Sequence, residues 1–146
     1  MHCWDILERR ARIVRDQAAE ALSEIRGKIQ EQQGLLERTQ AICHQYQEKI
    51  AGMQTSVSHF GDLQLYRSSL KQMQQAVFQF QNQIRLMDME ASRRQKQLAA
   101  AELERQKYVK LIEREARLAK ATEAKADART LDDIGTQLHH RRQKLA

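Results

Sequence analysis

The sequence predicts an all-α protein, an antiparallel two-helix coiled-coil hairpin with a longer second helix. Two observations carry this: each part of the chain bears an apolar stripe in alternating steps of three and four, and one dense group of helix-stopping residues lies between the stripes. A third is that the chain contains no proline, so nothing interrupts the helices that bear the stripes.

The first helix is expected over residues 5–54. Leu22, Ile25, Ile29, Gln32, Leu36, Thr39, Cys43, Tyr46, Ile50 and Met53 keep the three-four rhythm, which extends back through Ala18, Val14, Ala11 and Leu7. Two successive steps of four, Val14 to Ala18 to Leu22, read locally as an 11-residue period that relaxes the left-handed supercoil.

The turn is expected over residues 55–62, at Ser56-Val57-Ser58-His59-Phe60-Gly61-Asp62. Gly61 is suited to a left-handed conformation and Asp62 to capping the helix that follows.

The second helix is expected over residues 62–143. Its stripe is Leu63, Tyr66, Leu70, Met73, Val77, Phe80, Ile84, Met87, Ala91, Leu98, Ala101, Tyr108 and Ile112, broken only by Arg94 and Arg105. At a rise of about 1.5 Å per residue the first helix is roughly 75 Å long and the second roughly 120 Å. Pairing residue 54 with 62 puts Leu7 opposite Tyr108 to Ile112, so roughly the last thirty residues are left without a partner helix. There the inward candidates shrink to Ala116, Ala119, Ala124 and Ala128, which bury little but keep helix propensity high.

Composition limits what such a chain does. With 30% charged and 5% aromatic residues and a mean hydropathy of −0.74, residues 1–146 lack the apolar mass for a compact core and read as a single elongated domain. A rod without an enclosed cavity is poorly suited to catalysis, so neither an enzymatic activity nor a cofactor is expected. No window has the 18 uncharged apolar residues of a membrane span, and the first fifteen residues lack the apolar run of a secretory signal, which points to the cytosol.

Cys3 and Cys43 stand forty residues apart on one helix, roughly 60 Å, and cannot bridge within the chain. Cys43 falls on the stripe as a small hydrophobe, and Cys3 beside His2 is too small a donor set for a metal site.

The net charge of +6 is uneven: residues 31–62 carry four acids and two bases, residues 93–112 six bases and two acids. The acids among these bases and the scarcity of aromatics argue against nucleic acid. Pairs such as Glu113 with Arg117 read as ordinary helix-surface complementation.

Two groups of residues exceed the needs of a rod. Tyr46, Tyr66, Phe78 and Phe80 are bulky and cluster near the turn, where Tyr46 and Tyr66 are expected to face each other. Phe80 fits the stripe, which leaves Phe78 off it as a candidate partner contact. The tail carries a further stripe, Leu131, Ile134, Leu138 and Leu145, on a basic helix ending in Arg141, Arg142, Gln143 and Lys144. No first-helix residue reaches it, so it is expected to dock into another molecule. His139 and His140 point to different faces and are not a catalytic pair.

This order of parts resembles the flagellar type III export protein FliJ family and the related SctO/YscO family of virulence type III secretion. The resemblance lies in the run from Leu65 to Gln81 (Leu-Tyr-Arg-Ser-Ser-Leu-Lys-Gln-Met-Gln-Gln-Ala-Val-Phe-Gln-Phe-Gln), in Tyr46, and in Leu131-Asp132-Asp133, and it spans most of the chain. Ser69 departs from the pattern, standing where the family commonly has an aromatic.

The resemblance implies a cytoplasmic stalk at the inner-membrane export apparatus that inserts its termini into a hexameric export ATPase and contacts the cytosolic domain of the export gate. It also implies the handling of export chaperones. By that similarity Ile42, Tyr46, Met73, Ala76 and Phe80 form the gate-facing patch. The uncovered basic stripe of the tail, Leu131, Ile134, Leu138, Arg141, Arg142 and Lys144, supplies the inferred candidates for the ATPase ring. The tyrosine and Ala-Val pattern favours the flagellar version over the virulence one. The competing class is a generic coiled-coil scaffold or chaperone-like adaptor. If the two helices satisfy each other the protein is expected to be monomeric.

Overall fold

The computed structural model describes residues 3–54 and 60–145. They form two helices, α1 (Cys3–Met53) and α2 (Phe60–Leu145), and no strand occurs among them. The helices pack against each other antiparallel, so the fold is an all-α two-helix hairpin. Most of the expected turn, residues 55–59, lies outside the described residues. Phe60 and Gly61 were expected in that turn but are already helical, and Gly61 does not take a positive φ. Asp62 consequently lies in the first turn of α2, where its charge offsets the helix dipole from inside the helix.

The contacts divide the chain into two compact units. One holds Met1–Val14 with Ala101–Ala146, the other Arg15–Ala100.

In the second unit the core is the seam itself. Leu22, Ile25 and Ile29 are buried at 4–9% exposure, with Met87, Ala91 and Leu98 packed on them from α2. Cys43, Ile50 and Ile84 are also buried, which fits the reading of Cys43 as a small hydrophobe. No large side chain is completely buried among the described residues, because each seam residue is covered by a single neighbouring helix. A polar group enters this seam where the stripe is broken: Arg94 donates from Nη1 to the carbonyl oxygen of Ala21 at 2.7 Å. On the exposed margin Arg26 donates to Gln95 Oε1 at 2.6 Å.

The first helix departs from expectation at Val14, which is 55% exposed. Arg15 takes the inward slot instead, its side chain 31% exposed, so the seam runs Ala11, Arg15, Ala18, Leu22. Steps of three and four are thereby preserved, and the inferred 11-residue period is absent. Ranking by hydrophobicity misplaced the slot because the valine stands one residue before it.

In the first unit Glu8 and Ala11 of α1 are buried, and Trp4 and the expected Leu7 are half-buried. Trp4 and Tyr108 stack with ring centroids 6.4 Å apart. Glu8 is buried at 7% exposure, accepts from Arg12 Nη2 at 2.7 Å and lies 3.9 Å from Arg105 Nη1. Beyond Glu115, every residue from 116 to 145 is exposed.

Candidate partner-binding surfaces

Taking the inward residues as heptad positions a and d, Tyr46, Met73 and Phe80 occupy d, whereas Ile42 and Ala76 occupy the adjoining g. In an antiparallel pair the g positions of both helices flank the same side of the seam, so these five residues lie along one edge of the second unit. Tyr46, Met73, Ala76 and Phe80 are half-buried and Ile42 is 42% exposed. Tyr46 meets Tyr66 edge to face, with ring centroids 5.2 Å apart and planes at 77°. Lys49 Nζ lies 5.4 Å from the Tyr66 ring centre, a cation–π distance that fixes the ring further.

Phe78 lies off this edge. It is 71% exposed, on the back of α2, beside a shallow groove lined by Lys71, Gln74, Gln75 and Gln79. Phe80 turns inward, as the spacing requires.

The tail presents Leu131, Ile134 and Leu138 at 49–69% exposure, with Arg141, Arg142 and Lys144 also exposed. Its helix is held by local bonds alone, such as Thr130 and Thr136 hydroxyls donating to the carbonyls of Ala126 and Asp132 at 2.9 Å. His139 and His140 are both exposed, their ring centres 6.5 Å apart.

Charge is managed along α2 by short-range pairs. Glu90 accepts from Arg93 at 2.6 Å and from Arg94 at 3.0 Å. The hydrogen bond from Arg93, then that from Arg94, pull its carboxyl down to about 2. The Tyr108 hydroxyl, bonded to Glu104, is raised above its ordinary value because that carboxylate favours the protonated phenol. Among the described residues no three His, Cys, Asp or Glu side chains gather as a metal-holding group.

Sequence reasoning missed Trp4 and Glu8. Trp4 lies just before the expected start of the first helix, and Glu8, next to the half-buried Leu7 that the stripe includes, was passed over because it is charged. The regular spacing Trp4, Glu8, Ala11 was the available signal.

No helix among the described residues is long and apolar enough to cross a membrane. No curated protein and no solved structure matches the chain. A family model described as Flagellar FliJ protein matches residues 6–144, nearly the whole chain, and the protein therefore belongs to that family.

Proposed function

We propose that the protein is a non-enzymatic coupling stalk of the flagellar export apparatus, binding the hexameric export ATPase through its tail and the cytosolic domain of the export gate through the edge from Ile42 to Phe80. Family membership makes the chain a component related to flagellar export, and the stalk role goes further. The observation that carries it is the run of exposed helix from 116 to 145, whose apolar stripe has no intramolecular cover. Leu131, Ile134 and Leu138 offer apolar contact area, and Arg141, Arg142 and Lys144 give it a sign, so a ring surface with apolar slots and acidic residues is the complementary partner. On the gate side, Ile42, Tyr46, Met73, Ala76 and Phe80 provide a half-exposed apolar strip on a rigid edge. The protein then works in the cytoplasm, at the inner-membrane export apparatus.

The test is deletion of residues 130–146. Helicity and unfolding midpoint should stay nearly unchanged, whereas stimulation of the export ATPase should fall, and stimulation by the full chain should weaken as salt rises. A truncated chain that stimulates normally would place the ATPase contact elsewhere.

A further inference from the structure

The longest acid-free run in the chain lies at the start of α2. Between Asp62 and Asp88 it holds the bases Arg67, Lys71 and Arg85, and no Asp or Glu. Lys71, Phe78 and Arg85 are spaced seven residues apart, so they fall on one line along the helix, about 10 Å from one to the next. All three are exposed, and Leu86, 52% exposed, adds apolar surface at the far end, just beyond Arg85. Arg85 donates to Asn82 Oδ1 at 2.8 Å, an uncharged acceptor, and Asp88, three residues on, is the first acid beyond it.

A scattered exposed apolar residue needs no explanation, but an aromatic 71% exposed and centred between two bases is a patterned surface. We propose that this face docks an acidic amphipathic helix of a partner protein, with apolar side chains over Phe78 and carboxylates about two turns to either side, opposite Lys71 and Arg85. Three bases in this run fall short of the roughly 4–8 that hold a polybasic segment to anionic lipid. The groove beside Phe78 is lined by Gln74, Gln75 and Gln79, whose amides offer hydrogen-bond donors and acceptors to a polypeptide but bring no positive charge with which to hold an anionic lipid surface. The surface uses no residue of either contact in the proposed function, and its test needs neither the ATPase nor the gate.

The probes are two synthetic helical peptides with the same apolar face, one flanked by Glu and one by Lys, titrated by fluorescence anisotropy against the full chain. The Glu peptide should bind at least tenfold tighter than the Lys peptide, Phe78→Ala should weaken it at least tenfold, and the double variant Lys71→Glu, Arg85→Glu should reverse the preference. Circular dichroism of each variant confirms that the helices are intact. Failure of the Glu peptide to bind, equal binding of both peptides, or indifference to Phe78→Ala overturns the proposal. Phosphatidylserine vesicles that bind in a Phe78-dependent way overturn it in favour of a membrane. Sedimentation showing a dimer that Phe78→Ala dissolves overturns it in favour of a second copy of this chain.

Discussion

Arg94 reaches across the seam to the backbone of Ala21, placing a charged donor 2.7 Å from a helical carbonyl at a position where the heptad repeat calls for an apolar side chain. The guanidinium is also held by Glu90 on its own helix at 3.0 Å, so it is fixed from both sides. A polar group at such a position favours one alignment of the helices, because sliding the partner helix leaves it unsatisfied. Arg94→Ala should therefore cost about 1.5–3 kcal/mol, the range for hydrogen bonds made by charged groups, measured by urea unfolding. Arg94→Met should be close to neutral or stabilising, since it replaces a partly buried charge with apolar contact. Equal losses in both variants would show that the hydrogen bonds to Ala21 and Glu90 carry the whole effect and would contradict the near-neutral methionine.

The two neighbouring phenylalanines are expected to separate stability from surface chemistry. Phe80 is half-buried, so Phe80→Ala should cost about 1–3 kcal/mol, below the roughly 3–5 of a completely buried phenylalanine. Phe78, 71% exposed, should change the unfolding free energy by under about 0.5 kcal/mol when replaced by alanine. Chemical denaturation with the slope held common reads both, and similar midpoints for the two variants would contradict the inward and outward placement.

Fold class was legible because periodicity depends on spacing alone: Leu22, Ile25 and Ile29 recur on one face whatever surrounds them, and all three are buried. The facing of Tyr46 and Tyr66 followed from counting outward from the turn, and the outward direction of Phe78 from its two-residue offset to Phe80. Hydrophobicity misled where the repeat carries charge. Val14 was placed inward and is exposed, while Arg15 and Glu8 hold inward positions because long side chains can bury their stems and still reach a partner. The start of α2 was misjudged at Phe60 and Gly61 because glycine permits a turn without requiring one.

Glu8 offers a matched test in the other unit. Its carboxylate is buried between Arg12, at 2.7 Å, and Arg105, at 3.9 Å, and the Arg105 guanidinium also bonds Glu102 at 2.8 Å. Removing the acid takes a buried carboxylate away from Arg12 and from the partly desolvated Arg105, so Glu8→Ala should cost about 1–3 kcal/mol. The exchange Glu8→Arg with Arg105→Glu should recover part of that loss in a double-mutant cycle. A cycle with no coupling would reduce the 3.9 Å approach to proximity without energetic consequence.

Glu90, in the second unit, makes a pairing that depends on pH. Its folded carboxyl is lowered from 4.5 to about 2 by hydrogen bonds from Arg93 and Arg94, so the folded state holds the charged form more firmly than the unfolded chain does. Stability from this pairing is therefore complete above about pH 4.5 and is lost as pH falls toward 2, because protonation becomes easier in the unfolded state. Thermal unfolding of the wild type and Glu90→Gln should show their largest separation at neutral pH and converge near pH 2. The separation should also shrink at about 1 M salt, since the Arg93 partner is exposed and screened. A separation that stays constant down to pH 2 would mean that the glutamine acts through helix propensity or packing and that the carboxylate pairing contributes nothing measurable.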